Sequence, residues 1–350
     1  MNRSISKRGL GISFLLISSL VSIYSPYLSI IMVLIGSFFL LRKFGMVEYW
    51  SVALMLLIGS QAPKVLQSGD LASYVELYNS IANGIYSYNE VLMNPYNEIF
   101  SKGEVVLPTL FWIFSRFISH INVQEMSFAF IFVFLVFLFP IVNTFKFLPI
   151  VAVSIIIFSD VVLVVHLFRQ TLASLFILLS IIIYTKHNKI IHAFPLYIFS
   201  IFIHTTSLLF GIISKVSVNI SERKLKMLLL LSIILSTLVL EKDAFRDLLV
   251  MVSGIKILNK ASYALNVFES ESGLRLIALI SIGLSFFVSH PNPLFRVYLV
   301  FSSLGIIFYQ LPIVSSRIGL IGTSILTGLP IGLFIYAVKT KIIKFINRVK

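Results

Sequence analysis

The chain has 350 residues, of which 58% are hydrophobic and 12% are charged, with a net charge of +14 and no cysteine. A soluble domain cannot bury so much apolar side chain, so this composition excludes a soluble globular protein. The lack of cysteine excludes disulfides, thiolate catalysis and cysteine-ligated metal. The basic residues lie between apolar runs rather than on a folded basic surface, which argues against nucleic-acid binding.

Apolar runs recur along the chain and predict an all-α, polytopic membrane protein of about 10–12 transmembrane helices, with short re-entrant or interfacial helices on the outer side. The polar stretches 62–103 and 241–273 interrupt the pattern and predict external loops. We therefore treat residues 1–350 as one transmembrane domain. The predicted helices lie near residues 10–23, 27–41, 47–61, 104–119, 124–145, 148–165, 170–185, 190–213, 225–240, 274–290, 294–311 and 317–338.

Basic residues predict the orientation, because positive charge favours the cytoplasmic side of a membrane. Basic clusters near both ends of the chain place both termini in the cytoplasm. Counting spans from either end then puts the two acid-rich stretches, 62–103 and 241–273, outside.

The middle of the chain allows two arrangements. If 104–119 and 190–213 each span once, there are twelve spans and Arg169 faces inside. If 104–119 is peripheral or re-entrant and 190–216 dips into the membrane and returns near His204, ten helices span and Arg169 faces outside. The ten-span arrangement obeys the positive-inside rule better, and Pro108 weakens 104–119 as a spanning helix.

Polar side chains at membrane depth are costly, so each is a functional candidate. Asp70, Tyr74 and Tyr78 recur at a spacing of four, which places a carboxylate and two phenols on one helical face suited to sugar. The structural alternative is an interfacial aromatic belt with Asp70 as an N-cap. Glu104 stands where the outer loop meets an apolar segment, a position that suits acid–base chemistry or, alternatively, the helix dipole.

Two further groups interrupt apolar runs. Arg169 opens a helix, where its charge opposes the helix dipole, so a phosphate ligand explains it better than snorkelling to the interface. The sequence His204-Thr-Thr-Ser predicts a broken or cavity-lining helix, with His204 as an acid–base group or as an interhelical hydrogen-bond partner. Arg317 opens the last span on the outer side.

Sequence motifs of other enzyme classes are absent. No Walker loop for ATP, no HExxH motif for zinc and no GxSxG elbow for a serine nucleophile occurs.

Together, Asp70-x-x-x-Tyr74-x-x-x-Tyr78, Glu104, Arg169-Gln170-x-x-Ala173 and His204-Thr205-x-Ser207 resemble the EpsG family. These are Wzy-like polymerases of exopolysaccharide, capsule and O-antigen pathways. The arginine and histidine motifs are the most specific part of the resemblance.

The resemblance implies a metal-independent membrane glycosyltransferase without a cofactor. It would transfer a growing glycan from undecaprenyl pyrophosphate to a new lipid-linked repeat unit at the outer face of the bacterial inner membrane. Its implied partners are the lipid-linked oligosaccharide, membrane lipid, and flippase and chain-length regulator proteins, with no nucleic acid. We expect Arg169 and Arg317 to hold the donor pyrophosphate, and Asp70, Glu104 or His204 to deprotonate the acceptor hydroxyl. The other expected substrate contacts are Tyr74, Tyr78, Gln170, Thr205 and Ser207.

Three other functions share parts of this pattern. A flippase or other transporter also has polar residues at depth, but it predicts inverted repeats, and the sequence shows no internal repeat. A membrane acyltransferase would need an embedded histidine with access from inside. A glycan ligase uses the same donor chemistry, and the sequence does not separate it from a polymerase.

Overall fold

The computed structural model describes residues 6–59, 70–93, 104–238, 276–309 and 312–349. Within these ranges the chain forms helices and no strand, which confirms the all-α class. The predicted loop 241–273 lies outside the described residues. The chain divides into two compact units, Met1–Ile212 and Ile213–Lys350. The single transmembrane domain stays a prediction.

The helices of the first unit are α1 (Lys7–Val21), α2 (Pro26–Phe39), α3 (Met46–Gly59), α4 (Asp70–Ala82), α5 (Tyr88–Met93), α6 (Val106–Phe114), α7 (Val123–Asn143), α8 (Pro149–Ile157), α9 (Val161–His166), α10 (Phe168–His187) and α11 (Ile190–Ile203), with α12 (Ser207–Asn219) beginning at its end. Local caps explain several of these boundaries. Ser25 caps α2 just before Pro26, which suits the first helical position. Asn122 and Glu125 form a reciprocal capping box at the start of α7.

Three helical segments of the described chain are long and apolar enough to cross a membrane: Val123–Asn143, Phe168–His187 and Arg317–Asn347. Several shorter apolar helices accompany them, among them α2, α3, α11 and α12. The fold is therefore that of a helical protein compatible with a membrane.

Two of the predicted apolar runs do not form one spanning helix each. The run 104–119 contains only α6, whose nine residues reach about 14 Å, well short of the roughly 30 Å hydrocarbon core. The run 148–165 divides into α8 and α9 at Asp160, whose carboxylate accepts the Leu163 amide at 3.0 Å and caps α9. That break was not predicted, because one polar residue in an apolar run does not distinguish a cap from a buried partner.

The run 190–213 breaks at His204, as predicted. His204 has an extended backbone that ends α11. The Tyr197 hydroxyl donates to the Leu208 carbonyl at 2.7 Å, and a Cβ atom on Gly211 would lie only 1.9 Å from the Tyr197 ring. In one continuous helix Tyr197 and Gly211 would be about 21 Å apart. The chain therefore reverses direction between α11 and α12.

A second reversal brings the start of α10 to the end of α11. Asn188 adopts a left-handed conformation (φ 51°) and its N–H donates to the Tyr184 carbonyl at 2.7 Å, which closes α10. The two helices then pack against each other along their lengths. Because the turn lies at Asn188, Arg169 and His204 come to the same end of this hairpin.

The second unit is arranged around one buried helix. Its elements are α13 (Glu222–Leu238), α14 (Leu276–Ser285), α15 (Pro293–Ile307), α16 (Pro312–Leu320), a π-helical turn (Ile321–Ile325) and α17 (Gly328–Val349). Helix α15 packs against α13, α16 and the π-helical turn. Gly322 lets the π-helical turn approach α15 closely. A Cβ atom on Gly322 would lie only 2.6 Å from the backbone nitrogen and from the hydroxyl oxygen of Ser302 in α15.

We predict that Gly322→Ala destabilises the second unit. The added methyl group would meet backbone, so α15 and the π-helical turn must separate, which we expect to lower the free energy of unfolding by about 1–3 kcal/mol. Gly283→Ala in α14 is the matched control, because a Cβ atom there meets nothing within 4 Å. Thermal unfolding in detergent measures both variants, and equal stability of the two would contradict the close approach at Gly322.

Candidate functional site

Glu104 lies at the centre of the residues that the sequence singles out. It precedes α6, and its side chain is only 1% exposed. The next residue, Val105, donates its N–H to the Phe202 carbonyl at 3.1 Å, which ties this segment to the last turn of α11. The carboxylate is thus delivered to the end of the α10–α11 hairpin.

Arg169 meets that carboxylate from the first turn of α10. Its Nη1 forms an ion pair with Oε2 of Glu104, and its Nε donates to the Tyr74 hydroxyl at 2.7 Å. The Arg169 side chain is only 13% exposed. A guanidinium does not lose its charge, so its burial is unfavourable. The N-terminus of a helix is itself electropositive and repels it. The Glu104 carboxylate offsets both effects.

The helix break at His204 supplies the remaining partners of Glu104. The Thr205 N–H donates to Oε1 at 3.2 Å, and Nδ1 of His204 lies 3.7 Å from the same oxygen. Both the amide and the hydroxyl group of Thr206 lie within hydrogen-bonding distance of Nδ1, at 3.2 and 2.8 Å. Because the amide donates, Nδ1 acts as the acceptor and the ring proton sits on Nε2.

Aromatic side chains enclose the ion pair. The Tyr74 ring is buried against Phe111 and Phe130, at centroid distances of 6.3 and 5.8 Å. Phe130 in turn stacks on Phe168, beside Arg169, at 3.7 Å. This packing joins α4, α6, α7 and α10 and limits the access of water, which strengthens electrostatic interactions within the site.

The structure therefore brings together Tyr74, Glu104, Arg169, His204 and Thr205, which the sequence contributes from four separate segments. Phe111, Phe130 and Phe168 were not identified from the sequence, because 32 phenylalanines give no signal of which ones enclose a charge. The role of Thr205 comes from its backbone N–H rather than from its side chain.

The two tyrosines do not line an open path, although the sequence predicts that they face sugar. Both rings are buried, and the Tyr78 hydroxyl donates to the Ile118 carbonyl at 2.9 Å. Tyr74 instead orients the guanidinium of Arg169. Their spacing of four is preserved on α4, but the face that they share packs into the core.

The other predicted residues lie as follows. Gln170 is buried next to Arg169, and Ser207 is buried at the start of α12. Asp70 begins α4, and its side chain lies outside the described atoms. Arg317 is exposed in α16 of the second unit. Within the described ranges, no group of three or more histidine, aspartate or glutamate side chains is arranged to hold a metal ion.

The fold and the site define a helical, membrane-compatible protein with an enclosed Arg–Glu pair beside a histidine at a helix break. Comparisons with protein-family models, with curated proteins and with solved structures give no match for this chain.

We predict that Glu104 and Arg169 are energetically coupled. Removing either charge leaves its partner uncompensated in a site with little water, so Glu104→Gln and Arg169→Gln should each lower the free energy of unfolding by about 3 kcal/mol. The double variant should recover part of that loss, with a coupling energy of about 1–3 kcal/mol. Unfolding of the four proteins in detergent measures this cycle.

Glu76→Gln is the control for the cycle, because Glu76 is an exposed acid on α4. It should leave stability nearly unchanged. Strictly additive losses in the double variant would show that Glu104 and Arg169 do not depend on each other.

Proposed function

We propose that the protein is a polysaccharide polymerase of the EpsG type. It would transfer a growing glycan from undecaprenyl pyrophosphate to a new lipid-linked repeat unit at the outer face of the bacterial inner membrane. The observation that carries this proposal is the convergence of Glu104, Arg169 and His204 in one enclosed site. These residues belong to the motifs that resemble the family.

The chemistry requires positive charge where the pyrophosphate departs. The acceptor hydroxyl oxygen attacks the anomeric carbon, the bond from that carbon to the pyrophosphate oxygen breaks, and its electron pair stays on the leaving group. Arg169 would stabilise the charge that develops there, because a guanidinium binds phosphate through paired N–H groups. In the free protein Glu104 neutralises Arg169, and the donor pyrophosphate would take over part of that role.

The acceptor proton needs a base, and His204 suits this better than Glu104. The His204 side chain is 15% exposed, whereas that of Glu104 is 1% exposed and already accepts from Arg169 and Thr205. The Thr206 hydroxyl lies 2.8 Å from Nδ1, a position that a sugar hydroxyl could take. Taking up the proton at Nδ1 would displace the Thr206 N–H, which Nδ1 accepts in the free protein, and would give an imidazolium 3.7 Å from Glu104, whose carboxylate would stabilise it.

We also propose the ten-span arrangement, with both termini in the cytoplasm and Arg169 on the outer side. Two features of the helices support it. Helix α6 is too short to cross a bilayer, and the chain reverses between α11 and α12 instead of continuing across. The hairpin formed by α11 and α12 would then enter from the cytoplasmic side and present His204 at its tip.

Because the chain has no cysteine, single cysteines can report this topology. In intact spheroplasts, we expect a membrane-impermeant maleimide to label Asn89→Cys, in the predicted outer stretch, but to label Lys189→Cys only after permeabilisation. Both native residues are exposed. Labelling of Lys189→Cys from outside would favour twelve spans and would place Arg169 on the inner side.

Polymer analysis tests the activity itself. In a deletion strain complemented with Arg169→Ala, we expect single repeat units on lipid and no long polymer, because loss of one donor to a developing anion costs about 10²–10³ in rate. Arg169→Lys keeps the charge but loses the planar fork, so we expect short chains. Glycan electrophoresis measures the length of the polymer that each variant makes.

Arg116→Ala is the matched arginine control, since Arg116 is exposed in the same unit and its guanidinium lies over the Trp112 ring. It should give full-length polymer. Full-length polymer from Arg169→Ala would overturn the role of Arg169.

The deletion strain itself separates the polymerase from the other functions. In that strain, normal polymer that is not attached to its final acceptor would indicate a ligase, and repeat units trapped on the inner face would indicate a flippase.

A further inference from the structure

A groove of about 440 Å³ opens on the surface of the second unit, between the first half of α13 and the segment that follows α14. It shares no residue with the site around Glu104. Its lining combines charged, hydroxyl and large apolar side chains: Glu222, Arg223, Lys226, Met227, Leu230, Phe286 and Ser289.

The polar end of the groove carries a net positive charge. The carboxylate of Glu222 is neutralised by Lys226 at 2.9 Å and accepts the Ser289 hydroxyl at 2.9 Å. Lys226 also donates to the Val288 carbonyl, so its ammonium group is held in place. Arg223 is exposed and forms no ion pair within the described ranges. Its charge is thus available to an external anion.

The rest of the groove is apolar and open. Arg223, Met227 and Leu230 follow a spacing of four and three residues, so they lie in one stripe along α13. Met227 is 61% exposed and Leu230 is 43% exposed. Phe286 forms the facing wall. A cationic end therefore continues into an apolar channel that runs along the helix.

We propose that this groove binds an anionic phospholipid. The phosphate would lie against Arg223 and Lys226, and an acyl chain would follow Met227, Leu230 and Phe286. Basic residues at the end of a membrane helix attract anionic headgroups in this way. The apolar stripe favours a lipid over a soluble phosphate, which would leave Met227 and Leu230 in water. The inference needs a membrane environment and does not depend on polymerase activity.

Lipid titration of the purified full-length protein in a non-ionic detergent tests the proposal. The thermal unfolding midpoint is followed against phosphatidylglycerol and phosphatidylcholine with identical acyl chains. We expect phosphatidylglycerol to act at about fivefold lower concentration, and Arg223→Gln to remove most of that preference. Leu230→Asn should weaken the effect of both lipids, because it interrupts the apolar stripe.

Lys341→Gln is the control, because it removes one exposed positive charge on α17, outside the groove. The proposal is overturned if the two lipids act equally on the unsubstituted protein, or if Lys341→Gln and Arg223→Gln reduce the preference to the same extent. Inorganic phosphate is titrated in parallel, and stabilisation by phosphate at the concentrations effective for phosphatidylglycerol would contradict a lipid ligand.

Discussion

The charge of Arg169 is the constraint on which the arrangement of the first unit depends. This guanidinium cannot be neutralised by losing a proton, is largely enclosed, and lies at the electropositive start of α10. A carboxylate must therefore reach it, and Glu104 does so because the adjoining backbone is hydrogen-bonded to the end of α11. The hairpin turn at Asn188, the break at His204 and the short helix α6 each contribute to that meeting.

The same arrangement links stability to the proposed chemistry. Glu104 compensates the guanidinium while no ligand is bound, so the site need not hold an unpaired charge in a region of low dielectric. Tyr74 and its aromatic neighbours fix the direction of the guanidinium and reduce the access of water. A pyrophosphate that enters would therefore meet an oriented donor, with a histidine beside it, and little reorganisation would be needed.

The sequence predicts those features of the fold that depend on conspicuous residues. Arg169 and His204 interrupt apolar runs, and their positions in a first helical turn and at a helix break follow from the cost of polar groups at membrane depth. The division of the run 148–165 was not predicted, because a cap such as Asp160 depends on local backbone geometry. The spacing of Tyr74 and Tyr78 correctly predicts that the two side chains share one face of α4. It does not predict that this face is buried, because the sequence does not show which of its many phenylalanines pack against it. The contact of Gly322 with Ser302 depends on how two helices meet, which composition does not encode.

Reconstitution tests the central claim, a metal-independent glycan transfer from a lipid pyrophosphate, most directly. The purified protein is placed in liposomes with undecaprenyl-pyrophosphate-linked repeat units from the deletion strain, without nucleotide sugar and with a chelator present. The account predicts that the lipid-linked glycans lengthen and that one undecaprenyl pyrophosphate is released for each glycosidic bond formed. Failure of the glycans to lengthen, or lengthening that requires a metal ion or a nucleotide sugar, would contradict it.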